Sequence, residues 1–548
     1  MAHALAGKPV QEQDIIDVQT IVDAYFDNVP DMTNPTQLVS FGTSGHRGTS
    51  VDGTFTDLHV AAITQAICDG RKQFGATGPI FVGQDTHALS QPALVTVLEV
   101  LAGNGVTAMV DCDMAFVPTP SVSRAIIRYN EEHDDKADGI IITPSHNPPD
   151  NGGIKYNTII GGPADTVVTK WIEMRANEYL TAYCESEDFK RISIDNIEPT
   201  AQVPYDYKGL YVEELGDVIN MEAIKAAGPK VLVDTLGGSG ASYWNAIKER
   251  YGLDLTIIHD DYDPTFSFMT YDHDGKVRMD CSSTYVMASV INRIGDFDLA
   301  VSNDPDYDRY GIVVSSGLIS ANIFLTLAAR YLFTTRGWKN KGVGKTVVCT
   351  TMIDKWAADA ETPVFEVPVG FKYFSQLLFD GAIGIGGEES AGASFLKKDG
   401  TVWTTDKDGM IMALLSMEIM AVMGKSALKM ADEFVEEFGN PSFGRIDAPC
   451  KKEQKQILKQ MSAELITATT VDGDPITNIR TTSLYNDMPI DGVRVETDKG
   501  WFVARPSGTE DLYKIYGESY KGDLGLVALL TAGEEIVNAA LNGTIETE

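Results

Sequence analysis

Basic residues are in short supply. Among 548 residues, Lys and Arg number 44 against 78 Asp and Glu, which leaves a formal charge of −34. Phosphate backbones and anionic bilayers are gripped by clustered cations, so this balance argues against nucleic-acid and membrane partners. Cysteine is sparse as well. The six residues, Cys68, Cys112, Cys184, Cys281, Cys349 and Cys450, include no CxxC pair. Such spacing supports neither a zinc site nor a disulfide framework, and it suits a reducing cytosol. No secretory leader is expected, because MAHALAGKPVQEQD lacks a basic stretch followed by an apolar core. The long apolar stretches 318–333 and 410–423 contain Asn322, Arg330 and Glu418. Both fall short of the ~20 residues a membrane span needs, so buried helices are expected there.

What is present reads as a multidomain globular chain. Hydrophobic residues make up 43% and charged residues 22%, ordinary values for folded proteins. At about 150 residues per domain, three or four domains are expected. After a helical lead-in over 1–40, short apolar runs alternate with helical spacing. Strands are predicted at 79–83, 106–110 and 138–142, with helices at 91–104 and 122–129. The pattern recurs with strands at 230–234, 255–259 and 298–302, each of the two intervals holding a helix. A third round has a helix at 320–333, strands at 346–349, 364–366 and 383–386, and a helix at 409–423. Alternation of this kind means βαβ units. Beyond about 440 the grammar changes to helical stretches followed by closely spaced strands at 492–496, 501–505 and 512–517 and a final helix. The expected fold is α/β: three similar mixed-sheet α/β domains (1–200, 201–318, 319–440) and a smaller α+β domain (441–548).

In each α/β round an apolar strand runs straight into a polar loop. Open α/β sheets bind ligands at the carboxyl ends of their strands. In Thr143-Pro144-Ser145-His146-Asn147-Pro148-Pro149 the prolines stiffen the loop and hold Ser145 in place. Neighbouring side chains normally diverge, so a Ser145–His146 dyad is not expected. The GxSxG elbow is also missing, and a plain Pro-rich turn is the competing explanation. Asp304-Pro305-Asp306-Tyr307-Asp308-Arg309 sets carboxylates at alternate positions after a strand. Hard oxygen ligands suit Mg²⁺, Ca²⁺ or Mn²⁺. An EF-hand does not fit, since Arg309 and Ser315 stand where Gly and Glu belong. Gly386-Gly387-Glu388-Glu389-Ser390 offers hydroxyl-binding groups, although an acidic first turn of a helix explains it equally well. Arg505-Pro506-Ser507-Gly508-Thr509-Glu510 suits a phosphate, with a hairpin turn as its rival. Gly342-Val343-Gly344-Lys345-Thr346 ends like a nucleotide loop, but Lys339 replaces the first glycine and a strand, not a helix, is expected to follow. Gly237-Gly238-Ser239-Gly240 lacks the third glycine of a dinucleotide fingerprint.

The four loops TPSHNPP, DPDYDR, GEES and RPSGTE, one per domain and in this order, resemble those of the α-D-phosphohexomutase superfamily. SFGTSGHRG at 40–48 and FLKKDGTVWTTDKDG at 395–409 are similar to the bacterial glucose-specific phosphoglucomutases. The resemblance spans essentially the whole chain. It implies four domains around a central cleft and an isomerase, an intramolecular phosphotransferase that interconverts glucose 1-phosphate and glucose 6-phosphate through glucose 1,6-bisphosphate. It implies that Ser145 carries the phosphoryl group and joins Asp304, Asp306 and Asp308 around one Mg²⁺. By the same resemblance Arg309 steadies the transferring group and Lys155 matches a proton-transfer position. Arg47, His146, Gly370, Glu388, Ser390 and Lys407 would contact the sugar phosphate, and Arg505, Ser507, Gly508 and Thr509 would hold the non-reacting phosphate. His87, in the loop GQDTHALS, stands where many members have Arg, which weakens the expectation of a basic role there at neutral pH. A hexose phosphate is the implied partner, in the cytoplasm, for a monomer or homodimer. Rival readings are a mannose- or glucosamine-phosphate mutase, an aspartyl phosphatase using Asp304 or Asp306, and a sugar-phosphate sensor without catalysis.

Overall fold

The computed structural model describes residues 2–42, 45–184, 189–506 and 512–545. The chain divides into two compact units, one of residues 1–321, 374–381 and 390–428, the other of 322–373, 382–389 and 429–548.

Two sheets build the first unit. DGIII forms the fully buried strand Asp138–Ile142, as its unbroken apolar run dictates. It pairs parallel with Ile80–Gln84 and antiparallel with Asn151–Asn157. The six-stranded sheet runs His46–Thr49, Asn151–Asn157, Asp138–Ile142, Ile80–Gln84, Ala108–Asp111, Gln202–Tyr205. Helices Asp57–Gly70 and Ser90–Gly103 bury Val60, Ile63, Leu94 and Val97 against Ile140 and Ile142. In the second sheet, Leu299–Asn303 lies between the parallel Val231–Asp234 and the antiparallel Tyr310–Val314. Its companion helix is Gly409–Met423, N-capped by Asp408, which accepts from Ile411 N at 3.1 Å. The second helix expected between 259 and 298 contracts to the single turn Ala288–Ile291. Turns fill the rest, and Phe266, Met269, Met279 and Cys281 are buried beneath them.

The second unit corrects one strand. The run 346–349 was expected to be extended, but the strand is Gly342–Thr346, central between the parallel Val364–Val367 and Ile383–Gly387. Lys345, fully buried, is neutralised there by Asp354 and by Glu366 at 3.9 Å. Val347 and Val348 instead join Ile490, Trp501 and Val503 in a separate apolar cluster. The nucleotide-loop lookalike is thus itself a buried strand. The remaining sheet runs Ser442–Pro449, Leu512–Ser519, Gly500–Pro506, Pro489–Thr497, Asp474–Thr482, Thr470–Val471. The helix Gly522–Ile545 covers it, burying Leu529, Leu530, Val537 and Leu541 against Phe502 and Ile515. By length and composition Gly409–Met423 taken together with its bent neighbour Leu428–Phe438 could cross a membrane, and so could the span Gly522–Asn542 of this last helix. Its buried leucines face the sheet instead.

Candidate active site

Ser145 and the aspartates lie in the first unit, each just beyond the carboxyl end of a central strand. Ser145 has a left-handed backbone, φ 60°, a conformation that costs a non-glycine residue about 1–3 kcal/mol and persists only where surroundings fix it. Here the fixing group is Asp85, fully buried at the end of the neighbouring strand. Its carboxylate accepts from Thr143 Oγ1 at 2.5 Å, Ser90 Oγ at 2.6 Å, His87 Nδ1 at 2.8 Å and His87 N at 3.0 Å. Thr143 Oγ1 in turn accepts from Ser145 N at 2.7 Å. His87 Nε2 reaches Asn147 O at 3.1 Å on the far side of the serine. Burial works against the charge of His87, but Asp85 overcomes it and the imidazole pKa rises above its ordinary value. The doubt about a cation at this position is therefore answered by a partner two residues away.

The left-handed turn has a second effect. It brings Ser145 Oγ to 3.4 Å from His146 Nδ1, where divergence was expected. Burial, with Arg309 and Arg47 nearby, holds His146 well below its usual pKa, so it is neutral near pH 7. The stronger bond of the serine is to Asp304 Oδ2, at 2.8 Å.

The three aspartates converge. Asp304, Asp306 and Asp308 are all buried, and one ligand oxygen from each lies within 4.8 Å of the others. Among the described residues it is the one such acidic group that is buried throughout. Burial and the charges of Asp306 and Asp308 push the Asp304 carboxyl well above its ordinary pKa. Oxygen use is uneven. Asp306 Oδ2 accepts from Lys155 Nζ at 2.6 Å and Thr119 Oγ1 at 2.7 Å, and Asp308 Oδ2 from Lys155 at 3.1 Å and Lys407 at 2.9 Å. Among the described residues, the Oδ1 atoms of Asp306 and Asp308 are buried with no hydrogen-bond partner. Two orphaned carboxylate oxygens beside a serine hydroxyl fit a small divalent cation bound through oxygen.

Cations surround the cluster. Lys155 stays protonated: burial opposes its charge, but Asp306 and Asp308 raise its pKa. Arg309 N donates to Asp304 Oδ1 at 2.9 Å, and its Nη1 to Asp280 Oδ2 at 3.2 Å. Arg47 donates to Asn147 Oδ1 at 3.4 Å, and burial lowers its pKa while Asp306 and Asp308 pull it back up. Four carboxylates, with Asp280, thus face Lys155, Lys407, Arg309 and Arg47, so a bound divalent ion turns the site positive and ready for phosphate dianions.

GGSG finds its purpose here as well. A Cβ on Gly238 would lie 2.8 Å from Pro305 Cα, and one on Gly240 2.4 Å from the Tyr307 ring. The glycines let this loop pack flush against the aspartate loop, and Ser239 N and Oγ both donate to Pro305 O at 2.8 Å.

The remaining expected residues behave as follows. Ser390 is half-buried in the first unit. In the second unit Glu388 Oε1 accepts from Gly370 N at 3.2 Å. Arg505 Nε donates to Ile490 O at 2.9 Å. Ser507, Gly508 and Thr509, with Thr43 and Ser44 of SFGTSGHRG, lie outside the described residues. Sequence reading passed over Asp85, Thr119, Thr143 and Asp280. Two of them stood near residues already singled out: Asp85 lies two residues before His87, and Thr143 opens the heptamer that holds Ser145.

Comparison with known proteins agrees. The domain descriptions "Phosphoglucomutase/phosphomannomutase, alpha/beta/alpha domain" I, II and III match residues 38–182, 210–317 and 320–438, and the C-terminal domain description matches 447–524. A phosphoglucomutase of Komagataeibacter xylinus is 46% identical over 539 residues, 97% of each chain. The exocytosis-sensitive phosphoprotein parafusin (phosphoglucomutase) from Paramecium, crystallised in an open form, has a TM-score of 0.72 at 20% identity, covering 94% of this chain and 96% of its own. A phosphoglucomutase/phosphomannomutase family protein from Burkholderia thailandensis gives 0.69 at 21% identity over 92% and 98%. The first of these likenesses establishes kinship and the other two the fold, so the chain belongs to the phosphoglucomutase/phosphomannomutase family.

Proposed function

We propose that the chain is a phosphoglucomutase interconverting α-D-glucose 1-phosphate and D-glucose 6-phosphate through a phosphoserine at Ser145 and glucose 1,6-bisphosphate. The observation that carries this reading is the 2.8 Å bond from Ser145 Oγ into a buried trio of aspartates ringed by cations. Asp304, Asp306, Asp308 and a Ser145 oxygen would hold one Mg²⁺, which supplies charge neutralisation for the phosphoryl group in flight. The chain's own part is positional and electrostatic. Arg309, braced by Asp280, stands to receive negative charge that develops on the transferring phosphoryl. Lys155 and Lys407 offset the aspartates so that a second phosphate is not repelled. Proton handling falls to Lys155 by resemblance, and Asp306 and Asp308 favour its protonated form.

One phosphoserine must serve both O1 and O6, so the bisphosphate turns around before it leaves. Glu388, Ser390 and Gly370 would read the sugar hydroxyls in both orientations, with Arg47 and His146 beside the serine loop. Arg505, Ser507, Gly508 and Thr509 would hold the phosphate not in transfer. The four domains assigned to 1–200, 201–318, 319–440 and 441–548, a cytoplasmic location and a monomer or homodimer complete the proposal, and the 46% identical relative supports it. The test is a Mg²⁺-dependent assay with glucose, mannose and glucosamine 1-phosphates. Glucose 1-phosphate is expected to give the highest kcat/KM, and equal turnover of mannose 1-phosphate would contradict the assigned sugar.

A further inference from the structure

Three features tie Thr119 to Asp306. Thr119 N donates to Asp306 O at 2.9 Å, Thr119 Oγ1 donates to Asp306 Oδ2 at 2.7 Å, and both residues are fully buried. The two residues stand 187 positions apart in the chain. Thr119 opens the helix Thr119–Glu132, where its N–H has no partner within the helix and is free to point outward. Pro118 and Pro120 flank it, and each fixes its own φ on either side of the threonine. Its β-branched side chain is stiff at χ1. The hydroxyl is therefore presented from a rigid mount.

A carboxylate oxygen offers two lone-pair sites. On Asp306 Oδ2 these are taken by Lys155 Nζ and Thr119 Oγ1, while Oδ1 has no hydrogen-bond partner among the described residues. We infer that Thr119 is a positioning residue for the divalent cation: it locks the Asp306 carboxylate so that Oδ1 faces the ion. Without the hydroxyl, Oδ2 keeps only the lysine, whose ammonium also serves Asp308. The carboxylate then rotates between ligating through either oxygen, and the ordering that the threonine provides beforehand must come from the ion itself. Ser239 braces the adjoining carbonyl of Pro305 from the other side, so the loop backbone survives loss of the Thr119 side chain.

This inference rests on the reading of the aspartate trio as a cation site, and the experiment separates the two. Mg²⁺ alone is titrated into the full-length protein by calorimetry, for wild type, Thr119→Val and Thr119→Ser, with the thermal midpoint of each recorded in chelator and in Mg²⁺. Valine keeps the shape and the backbone bond to Asp306 O, while serine keeps the hydroxyl. Partners that orient metal ligands are typically worth ~10–100-fold in metal affinity. Thr119→Val is expected to weaken Mg²⁺ binding by about that factor, with serine restoring most of it and the midpoints in chelator nearly equal. Should valine bind Mg²⁺ as tightly as wild type, or lose only chelator-state stability, the inference is overturned. If the wild-type protein binds no Mg²⁺, the cation site itself is refuted.

Discussion

Replacing Asp85 with Asn probes how the serine loop is held. In the native protein four donors converge on this buried carboxylate. An amide of the same shape offers one oxygen, which can serve Ser90 and His87 N. Its NH₂ then confronts the Thr143 hydroxyl and His87 Nδ1, two more donors. His87 escapes by losing its proton, since the carboxylate that raised its pKa is gone. Thr143 must rotate and forfeits a charge-assisted bond, worth about 1.5–3 kcal/mol. That hydroxyl is what receives Ser145 N and holds φ at 60°. If the lost bond is felt in the population of the competent loop, kcat falls by roughly 10–100-fold at about 1.4 kcal/mol per decade. KM for glucose 1-phosphate changes less than kcat, because of the assigned substrate contacts only His146 belongs to the serine loop. The pH dependence has a definite sign. A histidine with a raised folded pKa contributes stability that is complete below ~6.5 and lost as pH rises through the folded value. The disadvantage of Asp85→Asn against wild type is therefore largest near pH 6 and narrows in alkali. The assay is glucose 6-phosphate formation with Mg²⁺ and glucose 1,6-bisphosphate across pH 6–9. A folded variant within threefold of wild type at every pH would refute the clamp.

Two further outcomes follow from packing and charge. Gly240→Ala drives a methyl into the Tyr307 ring between Asp306 and Asp308; crowding of this sort costs about 1–3 kcal/mol, and the Mg²⁺ concentration for half-maximal activity should rise severalfold, whereas an unchanged requirement shows that the GGSG loop does not set the aspartate geometry. Burial raises Asp408 to about 6, although Trp403 and Tyr211 donate to it. Its folded form thus binds a proton that the unfolded chain, at an ordinary carboxylate pKa, has released, and stability falls as pH climbs from ~4 to ~6 by roughly 3 kcal/mol. Asp408→Asn cannot ionise, so its thermal midpoint relative to wild type should improve over that interval, and parallel curves for the two proteins would contradict the assignment.

Sequence reading succeeded where one element carries its own signal. DGIII and the helix Gly409–Met423 stand where the apolar runs placed them because the strand is buried throughout and the helix from Gly409 to Ile419. It failed where neighbours decide. GVGKT looks like a loop, yet strands on both sides and two carboxylates around Lys345 make it a central strand. Ser442–Pro449 and Asp474–Thr482 are half-exposed and polar, so no apolar alternation announces them. The same holds for the site. Ser145 and the three aspartates lie in motifs whose chemistry is local. Thr119 and Asp280 act through partners far away in the chain, as does Asp85 through Thr143, and only folding reveals the pairing. The expected divergence of Ser145 and His146 assumed ordinary backbone, which the left-handed φ of the serine overturns.

The central claim is that Ser145 Oγ stores and returns the phosphoryl group. Its most direct measurement incubates the full-length protein with Mg²⁺ and glucose 1,6-bisphosphate labelled in its phosphates, followed by intact mass and peptide mapping. The account predicts one phosphate on the peptide containing Ser145, discharged by added glucose 1-phosphate, and neither label nor turnover in Ser145→Ala. Sustained mutase turnover by Ser145→Ala, or label on Asp304 instead, would contradict it.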